Sequence, residues 1–378
     1  VPLPVGSGPQ TLTLAGPPSG LLTLDPALVR DVDSAFISRQ LFRGLVGFDA
    51  ALNPVPELAE RIEIAPDGIT YTFRLRDGVT FHDATPITAD RVRASLLRAM
   101  DPALVGGDGA SLPARRFLSD IAGARELMDG QAQDVSGISV VDARTLHIHL
   151  VGPAADFLAK LAGSPAAVVD VADAARGPDW WRKPNGSGPF RLTGMREGDE
   201  LTLSSYPGYL PRPPALTSVT VLLGARALQP TTLYERGTVD LASVSPTAVD
   251  RFAVSSSPYH DQLRSQPTFS GSYVFINPTL APVDQTALRR ALLLGFDRAK
   301  VAAVSLDGRA LAADGIVPPG LSGEDDWKAT LPPYDPEQAR QLIATTGRPN
   351  GPLTISTAGA GGGGCNEGGC EGGFRGAG

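Results

Sequence analysis

The sequence predicts an α/β protein that folds into two lobes, and three observations support this prediction. The chain has 378 residues, 42% hydrophobic and 19% charged, which is a globular composition and is long enough for two domains. Runs with the period of strands are interspersed with runs of helical spacing that carry capping residues. At residues 184–192, PNGSGPFRL, two glycines and two prolines fix a tight loop, after which we expect a second lobe. Taken alone, that loop is weak evidence, because it is most simply an ordinary β-turn.

A strand and a helix are expected near the start of the chain. Residues 11–14 alternate Thr-Leu-Thr-Leu before a proline-containing loop, which indicates a short strand. After Leu-Asp-Pro at 24–26, a helix is expected with Asp33 or Ser34 as its cap and Gly44 as its end.

The first of two predicted β-hairpins spans residues 62–75 around Pro-Asp-Gly at 66–68. Its second strand places large apolar side chains on one face and polar side chains on the other, so one face is expected to be buried. Arg74 and Arg76 lie on the polar face and most simply contact water, whereas phosphate capture would need more arginines than these two.

The second predicted hairpin spans residues 138–150 around Asp-Ala-Arg at 142–144. His147 and His149 alternate with its apolar residues, so they lie on the opposite face of the strand. Two such histidines could begin a metal site, but no third ligand is evident, and we expect solvent-facing strand residues.

Further elements are expected around and between these hairpins. Thr88 is the expected cap of a helix whose apolar residues recur at helical spacing up to Met100. The others are a short helix at 157–161, an apolar strand at 166–169, strands beginning at 190, 200 and 219, and a helix, glycine turn and strand from 233 to 241. The pair Trp180 and Trp181 either lines a ligand pocket or seals a domain junction.

The second half is predicted to begin with a crossover strand near residues 266–277, on which Tyr273, Phe275 and Asn277 share one face. Helices are expected after Asp284 and after Asp335, the latter ending at Gly347. A strand begins at residue 353, and the sequence then changes to GAGGGGCNEGGCEGGFRGAG over residues 359–378, which is too rich in glycine to pack.

Composition also excludes some functions. The formal net charge is −7, so nucleic acid is not an expected partner. No apolar run has the length of a membrane helix, and no cofactor is predicted. The two cysteines, Cys365 and Cys370, lie in the glycine-rich tail and make a poor metal site. The chain starts at Val1 without a leader, so we expect that any export signal was removed before this numbering or never existed.

Three blocks of sequence resemble one family. They read YTFRLRDGVTFHDATPITADRVRASLLRAM at 71–100, YVFINPTLAPVDQTALRRALLLGFDR at 273–298, and YDPEQARQLIATTG at 334–347. In this order and spacing they resemble the extracytoplasmic solute-binding proteins, family 5, which serve peptide, dipeptide and nickel ABC importers. The resemblance covers roughly residues 11 to 356. Ala84 departs from the pattern, because a glycine is common there.

The resemblance implies a periplasmic-binding-protein-like two-lobed α/β fold, of the class with an extra inserted domain. Residues 1–45 and 175–265 would form the first-lobe core, 46–174 an inserted subdomain, 266–358 a partial second lobe, and 359–378 a disordered tail. The second lobe is therefore expected to be incomplete. Either the chain is a truncated or frame-disrupted member, or it is a natural short form that uses the first lobe.

The same resemblance implies a ligand site and partners. The expected ligand-binding residues are Val29, Asp33, Trp181, Phe269, Ser272, Tyr273 and Asn277. Tyr273 is the strongest single candidate, although a core-facing tyrosine fits the same pattern. The partners would be a peptide or other small solute and the membrane permease subunits of an ABC importer. The protein itself would be a monomer, periplasmic or lipid-anchored at the cell surface.

The sequence is compatible with three classes of function. The leading hypothesis is a binding protein that captures its solute by hinge closure and breaks no bond. An enzyme is the second class, but the sequence contains no Gly-x-Ser-x-Gly, Walker or His-Glu-x-x-His motif. The third is a sensory or regulatory solute-binding module, whose DNA-binding head would have to precede Val1.

Overall fold

The computed structural model describes residues 10–107, 109–245, 248–265, 271, 273–305, 310–313, 315–318 and 331–346. The chain divides into two compact units. Unit 1 is Val1–His260 and unit 2 is Asp261–Gly378. The domain limits drawn from the sequence remain predictions.

All strands of the described residues lie in unit 1 and form three sheets. They are β1 Thr11–Ala15, β2 Val46–Phe48, β3 Pro54–Pro56, β4 Ala59–Ile64, β5 Thr70–Leu75, β6 Ile138–Asp142, β7 Thr145–His149, β8 Phe190–Arg196, β9 Glu200–Ser205 and β10 Ser218–Leu222. One four-stranded sheet has the order β1-β10-β9-β8, with β1 parallel to β10 and the other pairs antiparallel. The second is an antiparallel sheet of order β4-β5-β7-β6, and β2 pairs with β3 alone.

Helices cover these sheets in unit 1 and provide the regular structure of unit 2. The α-helices are α1 Val32–Leu41, α2 Ala89–Met100, α3 Ala114–Leu118, α4 Ala124–Met128, α5 Phe157–Leu161, α6 Val171–Ala174, α7 Pro230–Glu235, α8 Val249–Ala253, α9 Thr286–Gly295, α10 Arg298–Lys300 and α11 Pro336–Thr346. Short 3₁₀ turns occur at Pro102–Val105, Gly109–Ser111, Ser164–Ala166, Trp180–Arg182, Gly224–Ala227 and His260–Gln262, and a π turn at Val301–Ser305. None of the helices in the described ranges is both long and apolar enough to span a membrane.

Two hydrophobic clusters form the interior of unit 1. The larger one joins the β4-β5-β7-β6 sheet to α2, with Phe73 and Val92 fully buried. The smaller one joins the β1-β10-β9-β8 sheet to α1, and includes Leu41 and both tryptophans of the predicted pair. In unit 2, the described core is small and lies between α9 and α11.

Many elements expected from the sequence are confirmed. Both hairpins form, and the turn at 66–68 is held by Asp67, whose Oδ1 accepts hydrogen bonds from the N–H groups of Ile69 and Thr70. Thr88 caps α2 by accepting from the N–H of Arg91, and Asp335 caps α11 by accepting from the N–H of Gln338. These signals succeed because each depends on a local hydrogen bond that the sequence alone specifies.

Four expectations in unit 1 were wrong. The cap of α1 is Asp31 rather than Asp33 or Ser34, because the Oδ1 of Asp31 accepts from the Ser34 N–H at 2.7 Å. The helix ends at Leu41 rather than Gly44, because Phe42 adopts an extended backbone and packs against a tryptophan ring. Residues 166–169 form no strand, and residue 241 makes only a single bridge to β1.

The crossover strand is not confirmed either. Of the stretch expected at 266–277, residues 266–270 and 272 lie outside the described residues. Residues 273–277 are not in a strand, and their backbone hydrogen bond within the described ranges is a local turn, from the Leu280 N–H to the Asn277 carbonyl at 3.3 Å. A strand is defined by pairing with a neighbour, which these five residues do not show within the part of the chain that is described. Gly347, the strand from residue 353, Cys365, Cys370 and the tail lie outside the described residues.

Candidate functional site

The Leu-Asp-Pro loop before α1 is fixed by a buried carboxylate. Asp25 is 2% exposed, and its two oxygens accept hydrogen bonds from Arg98, at 3.0 Å from Nη1 to Oδ1 and 2.5 Å from Nη2 to Oδ2. The Trp180 Nε1–H also donates to Oδ2 at 2.9 Å, and the Ala27 N–H donates to Oδ1 at 3.1 Å. Because every donor points at one carboxylate, the loop that leads into α1 has one well-defined conformation.

In its first two turns, helix α1 buries two serines together with Ile37 and exposes two apolar side chains. Ser34 and Ser38 are buried, and the Ser38 Oγ donates to the Leu24 carbonyl at 3.0 Å. In contrast, Val32 is 85% exposed and Phe36 is 56% exposed, four residues apart on the same side of the helix. An exposed apolar pair on a helix that buries serines indicates a surface that binds a ligand or a partner.

The loop at 184–192 packs closely against the end of α1. The Gly188 N–H donates to the Leu41 carbonyl at 2.8 Å, and the Ser187 Oγ donates to the Val168 carbonyl at 2.7 Å. A Cβ on Gly188 would lie 2.5 Å from the Gln40 oxygen, so only glycine fits. The loop is therefore a packed junction that holds α1 in place, and not a surface turn.

His82 joins the neighbouring segment to this junction. Its Nδ1 accepts from the Gly186 N–H at 3.2 Å, and its Nε2 lies 2.9 Å from the Gly188 carbonyl, so the proton is on Nε2. The ring also packs edge-on against Tyr206 at 5.1 Å between centroids. Burial lowers the pKa of His82 from 6.5 to about 4, and the nearby Arg191 acts in the same direction.

Ala84, where the sequence departs from the family pattern, lies two residues beyond His82. Its φ is +69°, in the left-handed region that glycine adopts without cost. Its N–H still donates to the Phe81 carbonyl at 3.0 Å, so the tight turn forms with alanine in it.

Unit 1 also contains an open polar depression of about 590 Å³ beside the 184–192 loop. Its carboxylates are already engaged: Asn185 donates from its side chain to Asp170 at 2.9 Å and from its backbone to Asp173 at 2.8 Å. Asp173 also pairs with Arg176 at 2.8 Å. Because these groups satisfy one another, the depression offers few free polar atoms to a ligand. Among the residues that the structure describes, no three metal-ligating side chains come together.

The expected ligand-binding residues have different environments. In unit 1, Val29 and Trp181 are buried at 7% and 6% exposure, while Asp33 is exposed on the first turn of α1. In unit 2, Tyr273 is 39% exposed, and the Asn277 Oδ1 accepts from the Thr279 N–H in a local turn. Phe269 and Ser272 lie outside the described residues. A ligand contact by any of these residues remains a prediction.

The sequence reasoning missed Val32 and Phe36, although a signal for them was present. Val32 and Phe36 are four residues apart, as are Ser34 and Ser38, so the helix carries an apolar and a small polar stripe. Only the structure shows that the serine stripe faces the core. The roles of Asp25 and His82 in fixing this region were also missed, because their partners are 73 and more than 100 residues away.

Comparison with known proteins relates this geometry to characterised relatives. The glutathione-binding protein GsiB of Escherichia coli K12 is 29% identical over 335 residues, which are 88% of this chain and 61% of that protein. The GsiB protein of Shigella flexneri matches with the same identity and coverage. The chain therefore spans about 61% of the length of these curated relatives.

Solved structures show the same fold. A periplasmic oligopeptide-binding protein, OppAIV of Borrelia burgdorferi, has a TM-score of 0.72 at 26% identity, over 91% of this chain and 69% of that one. The murein tripeptide-binding protein MppA of Escherichia coli has a TM-score of 0.72 at 25% identity, over 90% and 66%. The predicted periplasmic-binding-protein-like α/β fold is thus confirmed.

A sequence profile covers most of the chain. The bacterial extracellular solute-binding proteins, family 5 Middle, match residues 53–364, which include all three blocks of resemblance. This chain belongs to the bacterial extracellular solute-binding proteins of family 5.

Proposed function

We propose that this chain is the solute-binding component of an ABC importer. It captures a peptide or a peptide-sized solute outside the cytoplasm and delivers it to the membrane permease. Binding involves no covalent chemistry, so the chain is not an enzyme and the ligand is released unchanged. We further propose that the protein acts as a monomer.

The observation that carries this proposal is the apolar face of α1. Val32 and Phe36 are exposed while Ser34 and Ser38 of the same helix are buried, so these two apolar side chains do not contribute to the hydrophobic core of unit 1. Asp25 fixes the loop before this helix, and the 184–192 junction fixes the end of the helix at Leu41. A preorganised apolar face of this kind suits the side chains of a short peptide.

The names of the relatives support the class of ligand. By their names, relatives bind glutathione or murein tripeptide. Both of these ligands are peptides. We propose Asp33 in unit 1, and Tyr273 and Asn277 in unit 2, as polar contacts to the ligand, together with the other residues that the resemblance implies.

Thermal unfolding with added ligand tests the proposal. Glutathione and pools of di- and tripeptides would be added to the purified chain, and a ligand at 100 times its dissociation constant adds about 2.7 kcal/mol to the stability of the folded state. We expect one pool to raise the unfolding midpoint, and mass spectrometry to recover the peptide intact. The proposal would be contradicted if no pool changed the unfolding midpoint, or if the chain cleaved the peptide.

The role of α1 is tested with a matched pair of variants. Phe36→Ala should lower the affinity for the peptide about tenfold, because the contact loses roughly half of the surface of a phenylalanine side chain. The Ile64 side chain on β4 is 52% exposed, and Ile64→Ala should leave the affinity for the peptide unchanged. Equal affinities of the two variants would exclude α1 from the site.

A further inference from the structure

The 184–192 loop contains a chemically labile dipeptide, Asn185-Gly186. Where glycine follows asparagine, the glycine nitrogen can attack the side-chain Cγ of the asparagine, because glycine has no Cβ to hinder the approach. The N–Cγ bond forms as the Cγ–Nδ2 bond breaks, and the displaced nitrogen leaves as ammonia together with the proton of the glycine amide. The product is a cyclic succinimide, which water then opens to aspartate or to isoaspartate.

The structure engages both of the reacting groups. The Gly186 N–H donates to the Nδ1 of His82 at 3.2 Å, and the Gly186 carbonyl accepts from the His82 N–H at 2.9 Å. The Nδ2 of Asn185 donates to Asp170 at 2.9 Å, and its Oδ1 accepts from the Asp83 N–H at 3.1 Å. The attacking nitrogen, the proton that it must lose and the amide group that must leave are therefore all held by hydrogen bonds, which have to break before the attack.

The packing of the loop opposes the same movement. Gly186 is buried, and a Cβ on it would lie 2.2 Å from the carbonyl oxygen of Leu41. The Asn185 N–H is also fixed, because it donates to Asp173 at 2.8 Å. A rotation of the backbone between Asn185 and Gly186 would break these contacts or move the loop against the end of α1. The reaction is therefore confined to molecules in which the junction has opened locally.

The reaction product does not fit the closed junction. Aspartate at position 185 replaces the Nδ2 donor by an oxygen next to the carboxylate of Asp170, and Asp83 and Asp173 line the same depression. The hydrogen bond is lost and like charges are brought together. Isoaspartate instead adds one methylene group to the main chain of a loop that has no room for it. A junction that opens and reacts therefore cannot close as it was.

We propose that Asn185 is a latent deamidation site, which the closed junction protects and whose modification prevents the junction from closing again. His82, Asp170 and the Asp83 N–H are the protecting groups. Each opening of the junction thus carries a chance of irreversible change, so the junction limits the lifetime of unit 1. This proposal does not depend on the ligand proposed above.

Peptide mapping by mass spectrometry measures the protection. The tryptic peptide of residues 183–191, KPNGSGPFR, contains Asn185, and the same peptide made synthetically supplies the unprotected rate. The other Asn-Gly dipeptide, at 350–351, lies on a different tryptic peptide. At pH 7.5 we expect Asn185 in the folded protein to deamidate at least tenfold more slowly than in the synthetic peptide. Equal rates would overturn the proposal, and so would a faster reaction in the protein, because His82 would then promote the attack as a base.

A pair of variants separates the junction from the stability of unit 1 as a whole. His82→Asn removes the acceptor of the Gly186 N–H. Arg98→Met is the control, because the contacts of Arg98 are with Asp25 and Trp180 and lie outside the labile dipeptide. At urea concentrations that give both variants the same free energy of unfolding, we expect deamidation of Asn185 to be at least tenfold faster in His82→Asn. Equal rates would show that global unfolding controls the reaction, and would overturn the proposal.

The effect of the modification is tested by Asn185→Asp. We expect this variant to lower the urea midpoint by about 0.5 M or more, since it places an unpaired carboxylate in the junction. Asn53→Asp is the matched control, because Asn53 also donates to an aspartate, Asp49, at 3.2 Å but lies in an exposed turn, and its midpoint should change much less. An Asn185→Asp midpoint equal to that of the wild type would mean that the junction closes around the product, which contradicts the proposal.

Discussion

His82 should make the stability of unit 1 depend on pH in a defined window. Its imidazole is neutral, with Nδ1 accepting from Gly186 and Nε2 donating to Gly188. Protonating Nδ1 would direct a second N–H at the Gly186 N–H, so the imidazolium does not fit. The folded state therefore binds this proton less readily than the unfolded state.

The magnitude follows from the two pKa values. A shift from 6.5 to about 4 corresponds to about 3 kcal/mol of unfolding free energy. Because the folded-state pKa is the lower one, the full contribution is present above pH 6.5, and it is lost as the pH falls from 6.5 towards 4. The carboxyl groups whose pKa is lowered below 3.8, such as Asp67 and Asp134, contribute mainly at more acidic pH.

Urea unfolding between pH 4 and pH 7.5, followed by tryptophan fluorescence, measures this contribution. In a Trp327→Phe background, the remaining Trp180 and Trp181 report on unit 1, where both are buried. We expect the wild type to lose about 3 kcal/mol over the window, and His82→Asn to be less stable at pH 7.5 but nearly independent of pH. The reasoning is refuted if both proteins show the same pH dependence, or if the His82 ring titrates near 6.5 by NMR.

Three further changes test other parts of unit 1. Ala84→Gly should stabilise the protein by about 1 kcal/mol in the same urea assay, because φ at this position is +69°; a loss of stability would show that the turn is not strained. Gly188→Ala should cost about 3 kcal/mol or more, since its Cβ would meet backbone atoms at 2.5 Å, whereas Gly194→Ala, with no neighbour closer than 3.5 Å, should change stability by less than about 1 kcal/mol. Arg98→Met should cost about 3 to 5 kcal/mol by leaving the buried carboxylate of Asp25 unpaired, and a cost below about 1 kcal/mol would mean that this pair does not hold the loop.

Local signals in the sequence predicted local structure well. The turn at 66–68, the Thr88 cap and the Asp335 cap each depend on a hydrogen bond within four residues, and all were found. The cap of α1 was misplaced by two or three residues, because Asp31, Asp33 and Ser34 are all capping residue types in one short stretch. Only the backbone conformation distinguishes between them.

Features that depend on distant residues were not predictable in the same way. The sequence contains the 184–192 loop, but it cannot show that Leu41, Val168 and His82 converge on it. Of the strand expected near 266–277, the described residues 273–277 have the right composition and are not in a strand, because composition does not supply a partner. The candidate site was the part least predictable from the sequence, because the exposure of Val32 and Phe36 depends on which face of α1 the rest of unit 1 covers.

The parallel pairing of β1 with β10 has a consequence for the order in which the protein folds during its synthesis. Thr13 pairs with Thr220, 207 positions later, whereas the β4-β5 and β6-β7 hairpins close within about 20 residues. At roughly 5 to 20 residues per second, the first strand waits about 10 to 40 seconds for its partner to be made. We therefore expect protease to cut β1 in stalled nascent chains shorter than about 220 residues while sparing the hairpins; protection of β1 in shorter chains would contradict this order. During that interval the growing polypeptide is available to chaperones, which act on chains that have not yet folded.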